Sequence, residues 1–237
     1  MLEPNRKGYC ISTHTLIMQS EIICKPSYSL LELRMSEGEA VQAEPGAMVY
    51  MKGVELKTEA RGGLLGGLKR MIGGESFFVN RYQAVEDNAI LGLAPKYQGD
   101  IVRVEVRGRL LAQSGAFLAG ADSININDSW GGAKTFFAGE GLILLSLEGD
   151  GDVFLSSFGG IVEKEVEDGF VVDTGHIVAF EESLDFEVRR VGGLKETFLS
   201  GEGLVAEFAG EGKLWLQTRS IGEFVGWLAS LMPRERR

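Results

Sequence analysis

Two histidines, two cysteines and two acidic runs are the residues of this 237-residue chain that could do chemistry beyond folding. His14 and His176 lie far apart in the sequence. His176 stands in a strand-like stretch where a small residue would serve, so a hydrogen-bonded structural role is expected for it. Cys10 and Cys24 lack the CxxC spacing of a metal or redox pair, and free thiols in a reducing compartment are the expectation. The acidic run Glu148, Asp150 and Asp152 sits on a Gly-Asp-Gly-Asp stretch that reads as a tight turn without the twelve-residue calcium-loop pattern. The run Glu163, Glu165, Glu167 and Asp168 alternates with apolar residues and reads as a solvated strand edge. No HExxH, no GxSxG and no local Cys-His signature occurs. The expectation is therefore no catalytic residue, no metal ligand and no cofactor.

The glycine-rich stretch from Arg61 to Gly74 invites comparison with a phosphate-binding loop. Gly62 and Gly67 have the required separation, but Lys69 comes one place late and no Ser or Thr follows it. The backbone cradle would then lack both the correctly placed ammonium and the Mg²⁺-binding hydroxyl. The alternative is an amphipathic loop. Leu64, Leu65, Leu68, Met71 and Ile72 form its apolar side, and Lys69 and Arg70 its polar side. This is the candidate contact with a protein partner or a membrane surface. Packing of that loop on a neighbouring subunit is the preferred reading, since clustered exposed Leu usually meets protein.

The elements that must position these residues are short strands. Thirty-three Gly and only five Pro, in a chain with 44% hydrophobic residues, indicate many strands joined by tight turns. Val102-Arg103-Val104-Glu105-Val106-Arg107 alternates apolar and charged residues, as does Asp185-Phe186-Glu187-Val188-Arg189. From Gly222 to Met232 the period changes. Phe224, Val225, Leu228 and Leu231 fall on one helical face, and Pro233 stops the helix. A helix capping the β core is expected there, ahead of a basic tail.

Three landmarks recur in order along the chain. A Gly opens an apolar run at Gly46, Gly115 and Gly175. A Gly-Glu pair follows at Gly74 and Glu75, at Gly139 and Glu140, and at Gly201 and Glu202. A Gly and a charged residue then open a strand at Gly99, Gly151 and Gly212. The Gly-Glu pairs read as a repeated turn whose carboxylates accept backbone N–H bonds. The longer third interval in the first copy suggests an insertion across Arg81 to Gln98. The fold class expected is all-β, with three diverged β repeats packed as one pseudo-threefold domain over residues 18–220. The repeats would run over about 40–109, 110–169 and 170–220, with a C-terminal helix and basic tail over 221–237.

Net charge of −10 argues against a general nucleic-acid coat, which needs clustered Lys and Arg. No apolar run approaches the length of a membrane span, and no signal-peptide pattern opens the chain, so a cytoplasmic protein is expected. Residues 1–17 show no strand or helix period and read as a loose extension.

The stretches Glu44 to Met51, Ala60 to Arg70, Gly73 to Asn80 and Leu216 to Ser220 resemble the altered inheritance of mitochondria protein 24 family over about Ser20 to Pro233. The resemblance implies an all-β fold likened to the tryptophan RNA-binding attenuation protein, often oligomeric. It implies inner-membrane organisation in eukaryotic relatives and no established activity in prokaryotic ones. The first reading is a non-catalytic homo-oligomeric scaffold or binding protein, with a membrane surface or a protein as peripheral partner. A nucleic-acid binder using Arg103, Arg107 and Arg109 ranks second, and nucleic acid is not the expected partner. A carboxylate-dependent hydrolase using Glu140 or Asp152 ranks third.

Overall fold

The computed structural model describes residues 19–57, 71–72, 75–76, 79–127, 136–137, 142–190 and 204–232. Among these the chain is almost entirely antiparallel sheet, with a single α-helix at its C-terminal end. In chain order the first strands are β1 (Gln19–Ile23), β2 (Leu30–Met35), β3 (Ala40–Ala43), β4 (Met48–Lys52) and β5 (Val54–Lys57). A two-residue-strand pair follows, β6 (Met71–Ile72) and β7 (Glu75–Ser76), and then β8 (Asn80–Ala84) and β9 (Ala89–Leu93). The middle of the chain holds β10 (Ile101–Gln113), β11 (Phe117–Ala121), β12 (Asn125–Asn127), β13 (Phe136–Phe137) and β14 (Leu142–Ser156). The last part holds β15 (Ile161–Val166), β16 (Phe170–Asp173), β17 (Ile177–Glu181), β18 (Asp185–Arg190), β19 (Leu204–Ala209), β20 (Gly212–Gln217) and α1 (Ile221–Leu231).

One pairing scheme occurs three times. In the first part β9 lies between β2 and β4, and β8 lies between β3 and β5. In the last part β20 lies between β15 and β17, and β19 lies between β16 and β18. In the middle two long strands each do the work of two. The C-terminal half of β14 lies between the N-terminal half of β10 and β11, and its N-terminal half pairs with the rest of β10 and with β12. A register shift falls at the same place in each set, between Met48 and Tyr50, Phe117 and Ala119, and Ile177 and Ala179. Each of these lies just beyond the Gly of the first landmark.

The corners between the two sheets of each set need a left-handed backbone. Gly38 (φ 87°), Gly108 (φ 104°) and Gly169 (φ 81°) supply it at matching points. In the middle set the chain bends without breaking, with Gly108 opposite Gly149. The Gly-Asp-Gly-Asp stretch is therefore not a turn, as the sequence suggested, but the bend of the continuous strand β14.

The third landmark also divides differently. Ala89 opens the strand that matches Gly151-Asp152-Val153 and Gly212-Lys213-Leu214, whereas Gly99-Asp100-Ile101 leads into the next set. The segment from Arg81 to Gln98 thus carries the strands β8 and β9 and is not an insertion. Gly99 instead meets Gly159 in a parallel bridge. A Cβ on Gly99 would come within 1.8 Å of the Ser157 carbonyl oxygen, so only Gly allows that backbone approach.

The sets are joined edge to edge. β11 pairs with β3, and β17 pairs with β10, so an eleven-stranded sheet runs through all three. Three apolar clusters lie along it, and each borrows from a neighbour. Leu31, Leu33, Val41, Leu91 and Leu93 take in Leu118 and Phe154. Leu110, Leu145, Leu147 and Val153 take in Val178 and Trp215. Phe180, Phe186, Phe208 and Leu214 take in Leu111 and Leu144. Phe180 sits edge-on to Phe186 and Phe208 at 5.2 and 5.3 Å between ring centres, contacts each worth about 0.5–1.5 kcal/mol beyond area burial.

Candidate interaction surface

The helix α1 begins cleanly. Ser220 is extended, its hydroxyl oxygen accepts from the Glu223 N–H at 3.4 Å, and its carbonyl accepts from the Phe224 N–H at 3.1 Å. Its bounds agree with the periodicity to within a residue. Its position does not match the expected cap on the core, because none of its residues is buried. Phe224, Val225, Trp227, Leu228 and Leu231 are 45–64% exposed, and Met232 just beyond them is equally open. At 100° per residue these six span an arc of about 160°, and Gly222, Glu223, Gly226, Ala229 and Ser230 occupy the other side.

Among the described residues, contacts anchor only the root of this helix. Phe158 packs on Phe224 at 5.4 Å, Phe224 on Trp227 at 5.9 Å, and Tyr97 approaches Phe158 edge-on at 6.2 Å. Beside this aromatic ladder lies a cleft of about 480 Å³, lined by Gln98, Phe158, Arg219, Glu223 and Trp227 among others. The charged groups at its rim are one Arg and one Glu, so the cleft suits an apolar or amphipathic visitor better than a strongly charged one. The ladder escaped the sequence reading because Phe158 follows no period. The apolar crowding of 221–232, with Glu223 its one charge, was the available signal that this helix is not an ordinary surface helix.

A second apolar surface is β4. All five of its residues are exposed, with Met48, Val49, Tyr50 and Met51 between 38% and 53%. The Tyr50 ring covers Gly92, where a Cβ would meet the ring at 2.5 Å, and its hydroxyl donates to Glu32 Oε2 at 2.8 Å. That hydrogen bond to a carboxylate holds the phenol above its ordinary pKa.

Of the predicted loop residues, Leu64, Leu65, Leu68, Lys69 and Arg70 lie outside the described residues, and Met71 begins β6. Gly74, Gly139, Glu140, Gly201 and Glu202 also lie outside them. Glu75 pairs with Ile72 across the β6–β7 ladder, so it belongs to a strand and not to the turn itself.

The three arginines of the nucleic-acid reading are all engaged by carboxylates. Arg103 makes a two-pronged contact with Asp152 at 2.7 and 2.8 Å, and Arg107 holds Glu105 at 2.8 Å. Arg109 Nε lies 3.1 Å from Glu148 and 3.7 Å from Glu182, angled so that it makes no hydrogen bond. The arginines therefore do not make a bare basic patch. Asp152, the carboxylate named for hydrolysis, is almost fully buried in its pair with Arg103. His176 Nδ1 sits 2.7 Å from the Gln217 carbonyl oxygen, so that nitrogen donates and ties the turn before β17 to β20. Glu163 accepts from Lys213 Nζ at 2.8 Å and Trp215 Nε1 at 3.0 Å across β15 and β20. That contact raises the Lys213 pKa. Cys24 is free and exposed. Among the described residues no three His, Cys, Asp or Glu side chains gather as a metal site, and no helix is long and apolar enough to cross a membrane.

These features define an all-β protein of serially joined antiparallel sheets that carries an exposed apolar helix and an exposed apolar strand. Residues 20–219 match the family model described as mitochondrial biogenesis AIM24, and the chain belongs to that family. It is 31% identical over 219 residues to an uncharacterized protein of Streptococcus pyogenes serotype M6, across 87% of this chain and 88% of the relative. The crystal structure of a Streptococcus pyogenes protein has the same fold. It superposes with a TM-score of 0.76 at 29% identity, covering 91% of this chain and all of the other.

Proposed function

We propose that this protein is a non-catalytic, oligomeric scaffold or binding protein of the cytoplasm that attaches to a membrane surface through α1. The observation that carries the reading is the helix's arc of Phe224, Val225, Trp227, Leu228, Leu231 and Met232, none of it buried. Water contact with so large an apolar stripe is unfavourable by about 25 cal/mol per Å². Trp and Phe favour the boundary between headgroups and acyl chains, and Arg234, Arg236 and Arg237 follow in the sequence, adding positive charge that anionic headgroups attract. A helix of this length gives weak attachment alone, so several copies on one assembly would raise the avidity. The exposed free thiol of Cys24 suits a reducing compartment.

Vesicles of phosphatidylcholine and phosphatidylglycerol test this directly. Binding should shift the Trp227 emission to the blue, co-sediment the protein, and weaken with salt. The triple variant Phe224→Ser, Leu228→Ser and Leu231→Ser should lose at least about tenfold in partitioning, given about 0.8 kcal/mol per buried CH₂. Equal binding by that variant would remove α1 from the reading. Loss of binding instead in Leu64→Ser, Leu65→Ser and Leu68→Ser would move the contact to the glycine-rich loop.

A further inference from the structure

Two of the three sets hand an edge to a neighbour by one rule. The second strand of the first set, β3, pairs with β11, the third strand of the second set. The second strand of the second set is the C-terminal half of β10, and it pairs with β17, the third strand of the third set. The registers agree residue for residue. Ala43, Gln42 and Val41 face Ala119, Gly120 and Ala121, while Ala112, Leu111 and Leu110 face Ala179, Phe180 and Glu181.

Two edges of the same type are then left over. Among the described residues, β4, the third strand of the first set, pairs only with β9, and β16, the second strand of the third set, pairs only with β19. Their exposure reflects it. The equivalents of β4, the strands β11 and β17, are each buried in four of five residues, whereas every residue of β4 is exposed. On β16, Val171 is 44% exposed, while its equivalents Gln42 and Leu111 are 4% and 0% exposed.

We propose that β4 of one chain pairs antiparallel with β16 of a second copy, repeating between chains the joint that holds the sets together within one. This deepens the oligomeric half of the reading above and does not depend on α1. The landmark glycines fix the expected register. Gly46, Gly115 and Gly175 stand three residues beyond Ala43, Ala112 and Val172, so Tyr50 faces Val172, Met51 faces Val171, and Lys52 faces Phe170. In the first internal joint the Glu44 N–H donates to the Leu118 carbonyl at 2.9 Å. By the antiparallel alternation, Gln42 and Gly120 form the next hydrogen-bonded pair. Their counterparts are Val171 and Met51.

The chemistry of the edges supports this choice of partner. Open edges meant to stay in water carry charge. β15 shows Glu163, Lys164 and Glu165, β18 alternates Asp185, Glu187 and Arg189, and β5 carries Glu55 and Lys57. β4 and β16 read Met-Val-Tyr-Met-Lys and Phe-Val-Val-Asp. They are apolar along most of their length, with Lys52 at the end of one and Asp173 at the end of the other. Tyr50 is already fixed over Gly92 and onto Glu32, so little side-chain freedom would be lost on docking. Because one chain offers both edges, the contact is head-to-tail. It closes into a ring if the rotation per chain permits and continues as a filament otherwise.

The test is disulfide trapping between two preparations of the full chain, both carrying Cys10→Ser and Cys24→Ser. One preparation also carries Met51→Cys and the other Val171→Cys. Both positions are exposed, and circular dichroism checks the folds. Mild oxidation of the mixture should link residue 51 to residue 171 at least about tenfold more than the offset mixture of Val49→Cys with Val171→Cys, whose Cα separation exceeds disulfide reach. Met51→Lys, which places a charge on the edge as β15 does, should convert a light-scattering oligomer to a monomer. Equal trapping in the two mixtures, or a wild-type chain that scatters as a monomer, overturns the proposal. So does an intramolecular 51–171 bond in a chain carrying both cysteines. The Met51→Lys monomer retains α1, so its vesicle binding reports on the membrane reading separately.

Discussion

Gly99 and Gly108 show how single residues hold this fold, for different reasons. At Gly99 the limit is space, since the Ser157 carbonyl occupies the volume of a Cβ. At Gly108 the limit is conformation, with φ at 104° and the Glu182 carboxylate 3.6 Å from where a Cβ would sit. Gly108→Ala should lower stability by about 1–3 kcal/mol, the usual cost of forcing a side chain into a sparsely populated backbone region. Gly99→Ala should cost at least as much, because the bridge to Gly159 must open. Urea melts followed by circular dichroism measure both, and unchanged midpoints would show that the backbone yields at these points. Residue-level chemistry was only partly legible in the sequence. A hydrogen-bonded role for His176 was expected, but the residue lies in the turn that precedes β17 and not in a strand. The pairing of Arg103 with Asp152 was not legible, because cross-strand neighbours 49 positions apart are set by register and not by spacing.

At the level of elements, period carried far. The alternation over Val102 to Arg107 became a strand with Val104 and Val106 buried and Arg103, Glu105 and Arg107 exposed. The helix was placed to within one residue. What the period could not give was the destination of the apolar face. Amphipathicity says that a face wants cover, and here the chain's own described residues cover only its first turns. Ending the chain after Ser220 should therefore leave the thermal midpoint of the β structure within a few degrees of the full chain, since about 1 kcal/mol shifts a domain of this size by about 2–4 °C. A drop of ten degrees or more would mean that α1 is part of the core. The glycine landmarks were partly misleading for a related reason. Gly99-Asp100-Ile101 and Gly151-Asp152-Val153 look alike, yet the first leads into β10 and the second lies at the bend within β14. Only long-range partners distinguish them.

For the whole molecule, one eleven-stranded sheet runs through all three sets. Each apolar cluster includes residues from a neighbouring set. The Arg81 guanidinium binds both oxygens of Asp122 across the first joint, at 2.8 and 3.1 Å. Sets that share side chains in this way should unfold together. Circular dichroism and tryptophan emission are expected to give coincident denaturant transitions with a single midpoint. Two separated transitions would mean that the joints are weaker than the sets they connect.

The long β10–β14 pair has a consequence for synthesis. It matches Ile101 with Ser156 at one end and Gln113 with Leu144 at the other, and it presents the edge that receives β17 while β14 holds β11 against β3. The first set leaves the ribosome complete, but the strand that holds its docking partner follows some fifty residues later. Until then β3 trails an open, apolar edge. A nascent chain stalled before β14 should be the species that chaperones hold longest.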